Sequence, residues 1–190
     1  MNVPNKLTVS RLFLTVAFLI CFFAEFPLSN TAALFLFVLA AITDYWDGKI
    51  ARQEKIVTNF GVLMDPLADK ILICSAFIAL VGIGLVASWM AIIIVVRELA
   101  ITGLRLLAAS SQIILPAEKS GKIKTTFQLT ALISTLVMIS YPEWGTWAEI
   151  LFGLWLQPFV RITLWIAVLL TLGSGVSYLW KNRNLFMKDL

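Results

Sequence analysis

The sequence predicts an all-α, polytopic membrane protein with six transmembrane helices, and three observations carry that prediction. Hydrophobic residues make up 60% of the 190-residue chain and charged residues 14%. The mean hydropathy of +0.92 lies far outside the balance of water-soluble domains. Six apolar runs, 7–26, 31–52, 60–86, 88–110, 123–141 and 159–180, approach the about 20 residues that a helix needs to cross the hydrocarbon core. In lipid each backbone N–H and C=O must find its partner within the protein, and a helix satisfies them inside its own segment. The breaks between runs are short, so residues 1–190 are expected to form a single membrane domain.

The first run, 7–26, carries Arg11 and is followed by no small-residue cleavage pattern, so it reads as a retained helix rather than a signal peptide. The second turns acidic at Asp44 and Asp47, with Trp46 between them as an interfacial or packing residue. The third holds Asp65 and Asp69 beside Pro66, which removes an intrahelical hydrogen bond and predicts a kink. The fourth contains Arg97, Glu98 and Arg105, and Lys119, Lys122 and Lys124 lead into the fifth. Segment 147–157 is too short to span, and Trp147 and Trp155, with Tyr141 and Trp144 nearby, suit a helix lying among the headgroups. The last run, 159–180, is followed by Lys181, Arg183 and Lys188.

Positive charge sets the orientation. Lys6 and Arg11, then Lys49, Arg52 and Lys55, then Lys119, Lys122 and Lys124, and finally Lys181, Arg183 and Lys188 fall on one side. Glu25, Glu143 and Glu149 fall on the other, with Arg161 the basic exception. The positive-inside rule puts both termini in the cytoplasm and the chain in the cytoplasmic membrane. The net charge of +4 is then mainly a topology signal that also attracts anionic lipid headgroups, and it gives no reason to expect nucleic acid as a partner.

The chain contains no histidine. This removes the usual general base, the usual zinc ligand and any Ser-His or Cys-His nucleophile. Cys21 and Cys74 lie in different runs without metal-type spacing and read as structural thiols. Chemistry must therefore run on carboxylates, cations and metal. Asp44 and Asp47 are three residues apart near the cytoplasmic end of the second helix, and Gly48 and Ala51 continue that face. Asp65 and Asp69 are four apart on the next helix, with Gly61 four residues before Asp65. Both pairs lie within a few turns of the loop that joins their helices, so they can meet in the cytoplasmic half of the bundle.

A carboxylate at membrane depth costs roughly 2.5–3.5 kcal/mol, so four left uncompensated rival a typical folding stability. Lys49, Arg52 and Lys70 offset part of the charge. An all-oxygen cluster without histidine or cysteine selects hard divalent ions such as Mg²⁺ or Mn²⁺, one or two of them, and such ions suit a substrate carrying phosphates. Structural ion pairs and the ion site of a cation transporter are the competing readings.

The stretch reads Asp44-x2-Asp47-Gly48-x2-Ala51-Arg52-x8-Gly61-x3-Asp65-x3-Asp69. It resembles the complete signature of the CDP-alcohol phosphatidyltransferase family, and the six-helix layout extends the resemblance over most of the chain. The resemblance implies an integral membrane enzyme that moves a phosphatidyl group from CDP-diacylglycerol to an alcohol and releases CMP. It implies that Asp44, Asp47 and Asp65 hold the metal ions, and that Asp69 completes the cluster and acts as general base. Asp47, Gly48, Ala51, Arg52, Gly61 and Asp65 would shape the CDP-diacylglycerol site, with Thr58 a weaker candidate for a nucleotide contact. A homodimer is also implied, and Gly82, Gly84 and Ala87 offer small residues for close helix contact.

Three further stretches bear on the acceptor. "VRELAITGLRLLAAS" (96–110), "SGKIKTT" (120–126) and "PNKLTVSR" (4–11) supply Arg97, Arg105, Lys122, Lys124, Thr8 and Arg11. Arg97 and Arg105 are about 80° apart around one helix and can face one cavity, although Glu98 could pair with either. A cationic pocket beside a CDP-lipid site selects a phosphorylated acceptor. These stretches resemble the branch of the family whose acceptor is sn-glycerol 3-phosphate and whose product is phosphatidylglycerophosphate; inositol phosphate is the alternative acceptor. No nucleophile is evident outside the aspartates, which favours direct displacement.

Overall fold

The computed structural model describes residues 3–54, 59–110 and 119–183; within them, the side chains of 3–7, 44–54, 59–63, 65, 66, 69, 110, 119 and 120 lie outside the described residues. The described chain is helical throughout, with no strand among the described residues. Helices α1 (Val3–Phe23), α2 (Ser29–Glu54), α3 (Asn59–Gly82), α4 (Ser88–Ser110) and α5 (Lys119–Ser140) follow one another. A 3₁₀ turn (Tyr141–Trp144), the short α6 (Thr146–Phe152) and the long α7 (Leu156–Lys181) complete the fold. Each apolar run of the sequence falls on one long helix. Two segments, Gly121–Trp144 and Leu156–Lys181, are long and apolar enough to cross a membrane; Thr8–Phe23, Ser29–Thr43 and Lys70–Gly82 are shorter apolar helices among the described residues.

The helices assemble as two linked groups. α1 packs on α2 and α3, while α7 packs on α4 and α5, and α3–α4 and α2–α5 contacts join the groups. Phe18, Phe37, Phe77, Ile94, Leu132 and Val168, from six different helices, are each at most 1% exposed and form the centre of the core. Phe18 and Phe37 meet at a centroid distance of 5.5 Å with tilted rings, a favoured aromatic geometry. The opposite sides of the helices expose large apolar residues such as Phe13, Phe35, Ile92, Leu169 and Val176, the inverse of a soluble bundle.

Helix ends differ from the sequence expectation where backbone hydrogen bonds intervene. The third apolar run extends to residue 86, yet α3 stops at Gly82. Gly84 N–H donates to Val81 O at 3.0 Å and Leu85 N–H to Leu80 O at 3.0 Å, closing a Schellman motif in which Gly84 takes φ 76°. Gly84 and Ala87 therefore belong to the turn before α4 and not to a helix face. α3 remains helical through Pro66. Segment 147–157 covers most of α6, the turn after it and the first two residues of α7, with Trp147, Ile150, Leu154 and Trp155 exposed.

One long-range cap fixes the side of the bundle opposite the aspartates. The Glu143 carboxylate accepts the backbone N–H groups of Asn30 at 3.1 Å and Thr31 at 2.9 Å, together with the Asn30 amide and the Thr31 hydroxyl. Trp144 Nε1–H donates to Thr31 Oγ1 at 2.8 Å. A carboxylate on the first N–H groups of α2 satisfies otherwise unpaired donors and opposes the positive end of the helix dipole. Glu143→Ala is expected to lower stability by about 1–2 kcal/mol. A reduced thermal midpoint in detergent would register it, and an unchanged midpoint would mean that the cap contributes nothing to stability.

Candidate functional site

α2 and α3 are consecutive antiparallel helices separated by four residues, 55–58, so the end of one and the start of the other share one side of the bundle. Asp44 lies ten residues before the end of α2, and Asp69 ten residues into α3. At about 1.5 Å rise per residue both sit about 15 Å below that side, at matching depth. Asp47, Gly48, Ala51 and Arg52 follow on α2 toward the same side, and Gly61 and Asp65 precede Asp69 on α3. The side chains of these residues, and the whole of Thr58, lie outside the described residues. Among the described residues no group of three or more His, Cys, Asp or Glu gathers.

The start of α1 and of α5 and the end of α4 and of α7 close the same side. On α1, Thr8 and Arg11 are buried, at 0% and 2% exposure. On α5 the two lysines part. Lys124 is 1% exposed whereas Lys122 is exposed, because residues two apart on a helix point to nearly opposite sides. The structure thus does not bring Lys122 to Lys124.

Glu98 is the residue around which the described cations assemble. Its side chain is fully buried on α4, and Lys70 Nζ from α3 stands 3.3 Å from its Oε2. Arg97 Nη1 lies 3.4 Å from Oε1, and Lys124 Nζ from α5 is ion-paired with the same oxygen. Gln128, one turn after Lys124, donates to Glu98 Oε1 at 3.4 Å and to Thr171 Oγ1 of α7 at 3.0 Å. One carboxylate therefore ties four helices together in a buried polar layer.

The two arginines of α4 both face α7, about two turns apart. Arg97 Nη2–H donates to Ser174 Oγ at 3.4 Å. Arg105 Nε–H donates to the Tyr178 hydroxyl at 3.3 Å, and its guanidinium carbon stands 5.4 Å from the Tyr178 ring centroid, within cation–π range. Gly175 makes room for this arrangement, since a Cβ there would lie 2.9 Å from Arg97 Cγ. Gly175→Ala is expected to push Arg97 off its seat and destabilise the protein by about 1–3 kcal/mol. Thermal unfolding in detergent tests this, and an undisturbed midpoint would mean that the arginine stem yields without loss.

Sequence reasoning placed Glu98 no further than as a partner for Arg97 or Arg105; the structure pairs it with Arg97, Lys70 and Lys124. Gln128, Thr171 and Ser174 were missed. Their signal was present as Lys124 and Gln128 four apart on α5, and as Thr171, Ser174 and Tyr178 at three- and four-residue spacing on the largely apolar α7.

A family model described as CDP-alcohol phosphatidyltransferase matches residues 1–173. The chain belongs to the CDP-alcohol phosphatidyltransferase family. It is 40% identical to a CDP-diacylglycerol–glycerol-3-phosphate 3-phosphatidyltransferase of Bacillus subtilis, over 95% of each chain. A protein of the same name from Rickettsia felis is 36% identical over 93% of each chain. A probable phosphatidylglycerophosphate synthase of Mycobacterium tuberculosis is 34% identical over 93% of this chain and 79% of the relative. Family membership and the apolar helices together mark this phosphatidyltransferase relative as a membrane protein.

Proposed function

We propose that the chain transfers the phosphatidyl group of CDP-diacylglycerol to sn-glycerol 3-phosphate, giving phosphatidylglycerophosphate and CMP. The observation that carries this reading is the unbroken aspartate signature on α2 and α3, with its pairs at matching depth, in a chain 40% identical to a relative of that name. The donor set is four carboxylates without histidine or cysteine, which fits one or two Mg²⁺ or Mn²⁺ ions held by Asp44, Asp47, Asp65 and Asp69. Bound there, the metal supplies charge neutralisation at the diphosphate. Gly48, Ala51 and Gly61 let the nucleotide approach the helix backbone, and Arg52 forks onto the diphosphate. Asp69 takes the proton from the primary hydroxyl of glycerol 3-phosphate. That oxygen forms a bond to the phosphorus bearing diacylglycerol as the bond to CMP breaks.

Six spans with both termini cytoplasmic suit this chemistry. Acyl chains stay in the bilayer while cytidine and the soluble acceptor enter from water. Thr8, Arg11, Arg97, Arg105, Lys122 and Lys124 are the candidates for the acceptor phosphate, and a homodimer is expected from the family. The deciding experiment supplies purified protein with CDP-diacylglycerol and Mg²⁺ or Mn²⁺, and offers glycerol 3-phosphate, inositol phosphate, inositol or serine separately. CMP release with glycerol 3-phosphate alone is the expected result. Release only with another acceptor overturns the acceptor assignment, and metal-dependent ion flux through proteoliposomes without CMP release would make the chain a transporter.

Arg105→Ala is expected to weaken use of glycerol 3-phosphate by about 1.5–3 kcal/mol, a rise in its KM of about one to two orders of magnitude. The KM for CDP-diacylglycerol should barely move, because the acceptor phosphate lies away from the reacting hydroxyl and is held alike in ground and transition states. Equal damage to both constants would move Arg105 to the diphosphate.

A further inference from the structure

Tyr178 is a buried polar residue to which the proposed reaction assigns no task. It is 3% exposed near the end of α7 and clusters with Ile101 and Leu104 of α4, apart from the main core. Its backbone carbonyl accepts the N–H of Asn182 at 3.2 Å and the Asn182 side-chain amide at 2.8 Å, which closes the helix end that carries it. Ring and backbone are thus both held, and the hydroxyl has a set position. It meets a side chain of the opposite character, since Arg105 is exposed. Tyr178 holds the guanidinium by its Nε–H, at 3.3 Å, and by its centre, 5.4 Å from the ring centroid. Of the five N–H donors of a guanidinium, those on Nη1 and Nη2 take no part in that hydrogen bond. They form the fork that grips a phosphate bidentately.

We infer that Tyr178 is a positioning residue for the acceptor, which acts through Arg105 by aiming its Nη fork at the phosphate of glycerol 3-phosphate. A long side chain loses rotamer freedom each time it grips an anion, and one already held at Nε and over a ring loses less. Arg97 differs: it is tied to Glu98 and Ser174 and set against Gly175, and it is less accessible from water. Depth fits the assignment. Arg105 lies five residues before the end of α4, about 8 Å below the side of the bundle that the aspartate signature shares, whereas Asp69 lies about 15 Å below it. An acceptor that enters from water with its hydroxyl leading would leave its phosphate at the shallower level. This inference rests on the transferase reading with Arg105 at the acceptor phosphate.

Steady-state kinetics of the purified full chain in mixed micelles with Mg²⁺ test it, with CDP-diacylglycerol and glycerol 3-phosphate varied in turn. Tyr178→Phe keeps the ring and removes the hydroxyl, and is expected to raise the KM for glycerol 3-phosphate about threefold or more. Tyr178→Leu removes both contacts and should raise it about tenfold, with the KM for CDP-diacylglycerol changed by less than about twofold in either variant. In an Arg105→Ala background the same substitutions should add nothing further to the KM for glycerol 3-phosphate, because the residue through which Tyr178 acts is gone. If the Leu variant fails to fold, the Phe variant, which preserves the packing, decides the matter. An unchanged KM for glycerol 3-phosphate in a folded Phe variant overturns the inference, as does a parallel rise in both constants or a full additive effect on top of Arg105→Ala, the marks of a packing role. Wild-type protein that releases no CMP with glycerol 3-phosphate overturns the transferase reading and the inference together. An Arg105→Ala variant with an unchanged KM removes Arg105 from the acceptor site and the inference with it, whereas a damaged Arg105→Ala beside indifferent Tyr178 variants overturns the inference alone.

Discussion

Asp69→Asn is expected to lower the rate of CMP release by roughly 10²–10⁴-fold, the usual worth of a general base. Asparagine keeps the size and planarity of the side chain but has no basic form, so the acceptor hydroxyl loses the group that takes its proton. On the proposed assignment, three carboxylates, Asp44, Asp47 and Asp65, would remain to hold the metal and the CDP-lipid. Binding of CDP-diacylglycerol should therefore survive in part, and the loss should appear mainly in kcat. The measurement is turnover at saturating substrates beside direct binding of the CDP-lipid. Near-normal turnover in a folded Asn variant would take Asp69 out of the base role.

Chelation of divalent metal by EDTA is expected to bring CMP release down to background, with full recovery on adding Mg²⁺ or Mn²⁺. Four carboxylates on two neighbouring helices cannot remain ionised together at membrane depth without a cation, and the three basic residues nearest in sequence, Lys49, Arg52 and Lys70, do not balance four negative charges. Lys70 is moreover engaged with Glu98 at 3.3 Å. A second readout separates metal binding from catalysis: the apparent melting temperature in detergent should rise with Mg²⁺ or Mn²⁺ in wild-type protein, and the rise should shrink in Asp44→Asn. Full activity in EDTA would sink the metal assignment, and a metal-independent melting temperature in both proteins would sink the ligand assignment.

Much of this architecture is legible in the sequence, and the parts that are not share one character. The apolar runs fall on the long helices because run length is set against bilayer thickness, a local property. The missed boundary at Gly82 follows from φ 76° at Gly84, since composition alone does not distinguish an apolar turn from an apolar helix. The spacing of Asp44, Asp47, Asp65 and Asp69 is a local property too, which is why it points to the family and to the side of the bundle where we propose the chemistry. The basic residues read as one set in the sequence, and the structure divides them: Lys124 buried against Glu98, Lys122 exposed, Arg105 stacked over Tyr178.

By itself, then, the sequence determined the all-helical class, the family and the aspartate pattern, because each depends on residues close together in the chain. Only the tertiary structure decided that Glu98 would gather cations from α3, α4 and α5, that Arg97 would rest against Gly175, and that Glu143 would cap a helix 113 residues upstream. Those partnerships depend on how far each helix is rotated about its axis and on which helices become neighbours. Both are set by how the core residues interlock across helices, not by the spacing of polar residues along any one of them.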